Sequence, residues 1–263
     1  MKRRLFGTAI ALLLAACSAG APQNGSGRYD RSALPKGPVG DSITYGYALM
    51  VQTHRLMSKY VRADLECADC HLAAGTQPRG GSFIGTYARF PQWNKRAHRV
   101  IALQDRIAEC FLYSMNGHAP AYNSKAMVAI VSYIAWLSRG TPIGAAQPAS
   151  DRYIERLPAR VPNFARGEAL YHEKCLHCHG AGGQGVPGAY PPLWGVRSFN
   201  DGAGMAHIDR MTGFVRYNMP HDAPGSLTLD QAYDVASFVL SHRRPHFQKN
   251  AIVLAPSLPA KYF

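Results

Sequence analysis

Apolar residues along this chain recur with a helical period, and the two-residue alternation of a half-buried strand is nearly absent. In the N-terminal half the pattern predicts helices from Ser42 to Arg55, from Leu103 to Asn116 with its stop at Gly117, and from Lys125 to Ser138, ending near Gly140. Met127, Val131, Ile134 and Trp136 form the apolar stripe of the third and are read as core packing. In the C-terminal half, Asn163 can cap a helix running through Tyr171, and Thr228-Leu-Asp-Gln231 is a capping box. That box opens a final helix whose apolar face is Tyr233, Val235, Phe238 and Val239, and Gly167 would let this helix cross the earlier one closely. Gly180 to Pro192 leaves no room for a strand, whereas Gly140 to Pro148, continuing to Pro158 and Pro162, has neither period and reads as a linker or strap. The expected architecture is all-α: two helical domains over 41–140 and 163–243, a Pro/Gly-rich linker over 141–162 and a tail over 244–263.

The extreme N-terminus follows another pattern. Lys2, Arg3 and Arg4 precede a 12-residue apolar run, Leu5 to Ala16, which is too short to span a bilayer and has the form of a signal peptide. Leu14-Ala-Ala-Cys17 is similar to a bacterial lipobox, so residues 1–17 read as a lipoprotein signal with Cys17 lipidated. The alternative is an ordinary secretory cleavage that discards Cys17. Residues 18–40 then form a flexible tether reaching on the order of 26 Å. Export to the periplasm follows, with a lipid anchor to a bacterial membrane; Ser18 is compatible with the outer one.

Charge narrows the partners. The formal net charge is +13, and loss of Lys2, Arg3 and Arg4 leaves +10. Nucleic acid is the usual partner of such a chain, but an exported protein rarely meets it, so small inorganic anions or an acidic redox partner fit better.

Six cysteines carry the chemistry. Four lie in two copies of Cys-x-x-Cys-His, Cys67-Ala-Asp-Cys70-His71 and Cys175-Leu-His-Cys178-His179. In this motif the thiols attach haem c through its vinyl groups and the histidine becomes the proximal iron ligand, so two covalently bound haems are expected. A zinc site built from both pairs, or a redox dithiol, would not need a histidine at the same offset twice. Each iron then needs a sixth ligand. Met219 lies 40 residues after His179 in Asn218-Met219-Pro220, just before the last helix; Met205, Met211, His207 and His221 are rivals. Cys110 lies 39 residues after His71, on a helix that sets Leu103, Ile107, Cys110 and Ser114 along one face with Arg106 one turn before the thiol. A guanidinium there favours a thiolate, hence ligation and nucleophilicity together. A buried structural cysteine, with Met115 or His118 as ligand, is the competing account.

The run Cys67-x-x-Cys70-His71-Leu72-x-x-Gly75, then Tyr87 to Pro91, then Asp105-Arg106-Ile107-x-x-Cys110-Phe111-x-x-Ser114-Met115-Asn116-Gly117, then Tyr133-Ile134-x-Trp136-Leu137-Ser138 resembles the dihaem thiosulfate dehydrogenases of the TsdA type. The run around Cys110 is its distinctive part. The resemblance implies His71 and Cys110 as ligands of a catalytic haem, His179 and Met219 as ligands of a transfer haem, and Arg96, Arg106 and Ser114 near the substrate. Some relatives carry a lysine ligand just before the methionine; Asn218 occupies that position here, so exchange between lysine and methionine is not expected. The implied reaction couples two thiosulfates into tetrathionate, or the reverse, and passes two electrons to a small cytochrome c or similar acceptor. Two dianions need cations in the site, and Arg89, Lys95, Arg96, Arg99 and Arg106 cluster before Cys110. For Lys95 and Arg99 singly a solvated face is the simpler reading. A non-catalytic dihaem carrier and a SoxA-like cytochrome acting on protein-bound sulfur are the alternatives.

Overall fold

A computed structural model describes residues 30–247. Cys17, most of the tether and most of the C-terminal tail lie outside the described residues. Six helices of more than ten residues, three in each half, form the frame. In the first half these are α1 (Pro38–Val51), α2 (Leu103–Tyr113) and α3 (Lys125–Leu137). In the second they are α4 (Phe164–Lys174), α5 (Ile208–Asn218) and α6 (Leu229–Ser241).

Local chemistry explains the ends of these helices. Asn163 accepts from the Arg166 amide at 2.9 Å, and the Thr228–Gln231 box closes at 2.9 and 3.2 Å. α1 starts earlier than its apolar pattern suggests because Pro38, with φ preset and no amide to lose, occupies the first turn. α2 stops at Tyr113 rather than Asn116: the residue in the left-handed region is Asn116 (φ 57°), and the Gly117 amide turns back to the Phe111 carbonyl at 2.9 Å. Gly117 serves another purpose, since a Cβ there would lie 1.9 Å from the Tyr60 carbonyl oxygen.

Each half is closed by the same device. α1 crosses α3 at Gly46, where a Cβ would stand 2.1 Å from the Ala129 carbonyl oxygen, and α4 crosses α6 at Gly167, where it would stand 2.3 Å from that of Asp234. The expected glycine crossing is therefore present twice. One short hairpin departs from the all-helical expectation: β1 (Gln92–Asn94) pairs antiparallel with β2 (Arg99–Ile101). Asn94 Oδ1 accepts from the Arg96 and Ala97 amides at 2.8 and 3.0 Å and shapes its turn.

Residues 141–162 run over both halves. The Gly144 amide donates to the Ala88 carbonyl at 2.8 Å in the first. Tyr153 meets Phe214 edge-on at 6.3 Å, and Glu155 pairs with Arg216 at 2.8 Å in the second. The halves also touch directly: buried Asn200 donates to the Leu112 carbonyl at 2.9 Å, and Phe247 packs on Tyr113 with ring centroids 4.5 Å apart. Buried apolar residues of both halves form one continuous cluster.

Candidate active site

The first Cys-x-x-Cys-His sequence is a single helical turn, Cys67–Cys70. It is tied to the short turn just after α1, where the Cys67 amide donates to Thr53 Oγ1 at 2.9 Å. His71 Nδ1 lies 2.5 Å from the Gly81 carbonyl oxygen, and the ring stacks on Phe83 at 4.1 Å. Burial, opposed in part by that carbonyl, pushes His71 down to about 4, so the imidazole is neutral. Its Nε2 is then the nitrogen left for a metal. The second sequence repeats the arrangement: His179 Nδ1 is 2.9 Å from the Pro191 carbonyl oxygen, and burial lowers this histidine as well.

A cavity opens beside each histidine. The first, about 290 Å³, is lined by Cys67, Cys70, His71, Arg106, Cys110 and Ser114 among others. The second, about 440 Å³, is lined by Cys175, Cys178, His179 and Met219, together with Met205, Met211 and His221. Leu65 and Cys70 line both, so the cavities share a wall. His118 and His207, rivals as sixth ligands, line neither, whereas Met115 lines the first. The donor set fits haem c. Burial pushes the Cys67 thiol up to about 12 and Cys175 up to about 11, which disfavours free thiolates and suits carbon-bound sulfur. Among the described residues no three His, Cys, Asp or Glu side chains converge as a metal site, so the two cysteine pairs do not build a shared zinc centre.

Cys110 faces the first cavity from the last turn of α2, and Arg106 Nη1 donates to its sulfur at 3.1 Å. Its charge interaction with Cys110, acting against burial, holds Arg106 above the usual arginine value. Buried Glu109 pairs with the same Nη1 at 3.6 Å and accepts from Asn94 Nδ2 of the hairpin at 3.0 Å. Ser114 caps the same helix and lines the cavity. Arg96 does not line it; exposed on the hairpin turn, it stacks on Tyr113 with its guanidinium carbon 4.1 Å from the ring centre. Arg99 is committed to buried Asp105 at 2.9 Å, and Lys95 is exposed.

Arg89, one of the basic run read as supplying cations, lines the cavity, and so do residues the sequence reading did not place there, Gln92 and Gln147 among them. Arg89 stood in the basic run without distinction. Its guanidinium donates to Thr86 Oγ1 at 2.8 Å, and burial lowers its pKa against the opposing attraction of Asp151. Gln147 sits on the strap, 76 residues from His71, where no local pattern could connect it to the site.

Residues 58–143 match the family described as "SoxA/TsdA, cytochrome c domain", and residues 162–239 match "Cytochrome C oxidase, cbb3-type, subunit III". The thiosulfate dehydrogenase of Allochromatium vinosum is 41% identical over 226 residues, 82% of this chain and 83% of the relative. The chain belongs to the TsdA family of cytochromes c. Within the TsdA family, the thiosulfate dehydrogenase of Thiomonas intermedia is 36% identical, covering 81% of this chain and 69% of its own. The solved thiosulfate dehydrogenase TsdBA from Marichromatium purpuratum superposes with a TM-score of 0.78 at 36% identity over 82% of this chain. This chain spans 49% of that longer one. As in other TsdA-family proteins, covalently attached haem c is the cofactor its cytochrome c domains imply.

Proposed function

We propose that this chain is a dihaem thiosulfate dehydrogenase that couples two thiosulfates into tetrathionate. The observation that carries the reading is the Arg106–Cys110 contact at 3.1 Å in the cavity that His71 faces. A guanidinium held against a cysteine sulfur favours nucleophilic chemistry at that sulfur.

Haem c, attached once at Cys67/Cys70 and once at Cys175/Cys178, supplies two one-electron acceptors within the same molecule. His71 and Cys110 are the ligands we assign to the first iron, His179 and Met219 to the second. Arg106 donates to the Cys110 sulfur and presents its remaining N–H groups to the sulfonate of an incoming thiosulfate, with Ser114 as a further donor. The Cys110 sulfur forms a bond to the terminal sulfur of the first thiosulfate, and the pair releases two electrons. The second thiosulfate attacks that same terminal sulfur; the bond to Cys110 breaks, tetrathionate leaves, and Cys110 returns as thiolate. Charge balances in both steps: a thiolate and a dianion become a monoanionic adduct plus two electrons, and adduct plus dianion become thiolate plus tetrathionate dianion. Leu65 and Cys70, which line both cavities, would lie on the path of electrons between haem groups held in the two halves, and a small cytochrome c or similar acceptor would take them from the second. Arg96 on the hairpin attracts the anions toward the cavity. The protein works in the periplasm, held to the membrane through lipidated Cys17.

Steady-state oxidation of thiosulfate with ferricyanide as acceptor tests the proposal. Wild type turns over and Cys110→Ser does not, while Met219→Ala retains the first-haem thiolate signature in electron paramagnetic resonance and slows electron delivery. Full turnover by Cys110→Ser would leave a non-catalytic electron carrier as the better account.

A further inference from the structure

The residue before Met219 reaches into the other half of the molecule. Asn218, the last residue of α5, is 1% exposed, and its side chain turns away from the second cavity. Its Oδ1 accepts from Gln77 Nε2 at 2.8 Å, and its Nδ2 donates to the Arg79 and Phe214 carbonyls, both at 3.0 Å. Both amide protons and one carbonyl lone pair are thereby engaged. Gln77 and Arg79 are separated from Asn218 by about 140 residues, and they belong to the loop that follows the first haem motif. Two residues beyond Arg79 in that loop is Gly81, whose carbonyl oxygen faces His71 Nδ1 at 2.5 Å.

The same joint is reinforced on either side. Arg79 lies over the ring of Tyr217 with its guanidinium carbon 4.2 Å from the centre, and Glu155 of the strap pairs with Arg216 at 2.8 Å. The last three residues of α5 are therefore each held by a group outside the helix. Arg79 sits at φ 60°, a left-handed conformation that a non-glycine residue adopts only when its surroundings fix it. The loop that orients His71 and the helix end that presents Met219 are thus parts of one hydrogen-bonded unit.

We propose that Asn218 is a positioning residue that locks the Met219 backbone to the His71-orienting loop, so that ligation at the second haem depends on a side chain of the first half. The proposal rests on the assignment of Met219 as an iron ligand. It also gives Asn218 a role other than ligation: its amide is consumed by the joint.

The test uses the purified full-length holoprotein of wild type, Asn218→Asp, Gln77→Leu and Met219→Ala. The readouts are the long-wavelength charge-transfer band of methionine-ligated ferric haem and the reduction potential of each haem. Asn218→Asp keeps the size of the side chain, loses both donated bonds and sets a carboxylate against two carbonyls. Gln77→Leu removes the bond from the other half, at a half-buried residue that lines neither cavity. Both variants are expected to lose at least half of the band and to shift the second-haem potential downward, with the thiolate signature of the first haem retained. Their double variant should lose no more than Asn218→Asp alone, because the two act through one joint. A band abolished in Met219→Ala but intact in Asn218→Asp and Gln77→Leu, with unchanged potentials, overturns the positioning role alone. A band that survives in Met219→Ala overturns the ligand assignment and the positioning role with it. If Asn218→Asp fails to incorporate haem, Gln77→Leu decides the matter.

Discussion

Replacing Arg106 separates a catalytic cation from a solvated one. Its Nη1 is 3.1 Å from Cys110 Sγ and 3.6 Å from a Glu109 carboxylate oxygen. A unit-charge pair at that first distance is worth about 1.3 kcal/mol in water and about 5 kcal/mol at an effective dielectric near 20. The Arg106 side chain is 43% exposed, which places the interaction between those limits. A loss of about 2–3 kcal/mol corresponds to roughly a 30- to 150-fold fall in kcat/KM for thiosulfate in Arg106→Ala. Glu109 worsens the outcome, because its buried carboxylate then keeps only Asn94 and adds negative charge where two dianions must enter. Arg106→Lys should recover part of the loss, since an ammonium supplies charge without the planar fork. The measurement is steady-state kcat/KM with ferricyanide at fixed ionic strength, alongside Lys95→Ala and Arg96→Ala. Lys95→Ala should change little. Arg96→Ala should raise KM more than it lowers kcat, because Arg96 stacks on Tyr113 outside the cavity. Wild-type kcat/KM in Arg106→Ala would refute the assignment of the guanidinium to the reacting sulfur.

Further outcomes follow from the second half and the leader. Gly167→Ala forces a Cβ to within 2.3 Å of the Asp234 carbonyl oxygen and should destabilise the fold by about 1–3 kcal/mol, read as a lower Tm in calorimetry. Burial raises the Asp234 carboxyl, but Arg160 at 2.9 Å, the Asn163 amide and Arg166 at 2.5 Å outweigh it and leave the pKa below the usual aspartate value. A depressed carboxylate stabilises the fold above the unfolded pKa, near 4, and that contribution is lost as pH falls through the lower folded value. Acid unfolding of wild type should therefore steepen below about pH 4, and Asp234→Asn should be less stable at neutral pH with a flatter acid limb. Cys17→Ser should move the protein from the membrane fraction to the soluble periplasm with haem content unchanged; a wild type already soluble, with its N-terminus elsewhere, would refute lipidation.

What the sequence made legible was what chemistry repeats locally. The Cys-x-x-Cys-His pairs, the Asn163 and Thr228 caps, the Gly167 crossing and the Arg106–Cys110 turn each depend on neighbours within a few residues; the structure shows both caps, the crossing and the Arg106–Cys110 contact. The hairpin was not legible because its strands have three residues each and expose Trp93 and Val100, leaving no alternation to detect. Gln147 reaches the first cavity from the strap, a stretch without periodicity that lies far from His71 in sequence. Glu109 is one residue from Cys110, yet an acid beside a thiol reads as unfavourable until Arg106 is seen between them. Long-range polar contacts such as Asn218 to Gln77 leave no trace in either period, since each partner is an ordinary surface-type residue where it stands.

The two halves share one plan and diverge at the end of one helix. In each, a short Cys-x-x-Cys-His turn sets a histidine whose Nδ1 faces a backbone carbonyl, and terminal helices cross at a glycine. The helix between them differs: α2 delivers Cys110 from within its last turn, under Arg106 and Glu109, whereas α5 delivers Met219 just past its end, beside Asn218. A residue within a helical turn has its approach fixed by the turn itself, so charge can be stationed one turn away to tune it. A residue past the end keeps only its amide bond to the last turn, here Met219 to the Val215 carbonyl at 3.0 Å, and external ties add to it: the contacts that Gln77, Arg79 and Glu155 make with the last residues of α5. Between the two sites the strap inserts Tyr153, whose pKa is raised by burial first and by Cys70 second, and whose ring meets Phe214 on the wall of the second cavity. A protein group therefore stands at the boundary next to Cys70. On the proposed reading, that boundary separates the side that carries Arg106, where the anions would react, from the half that would take the electrons.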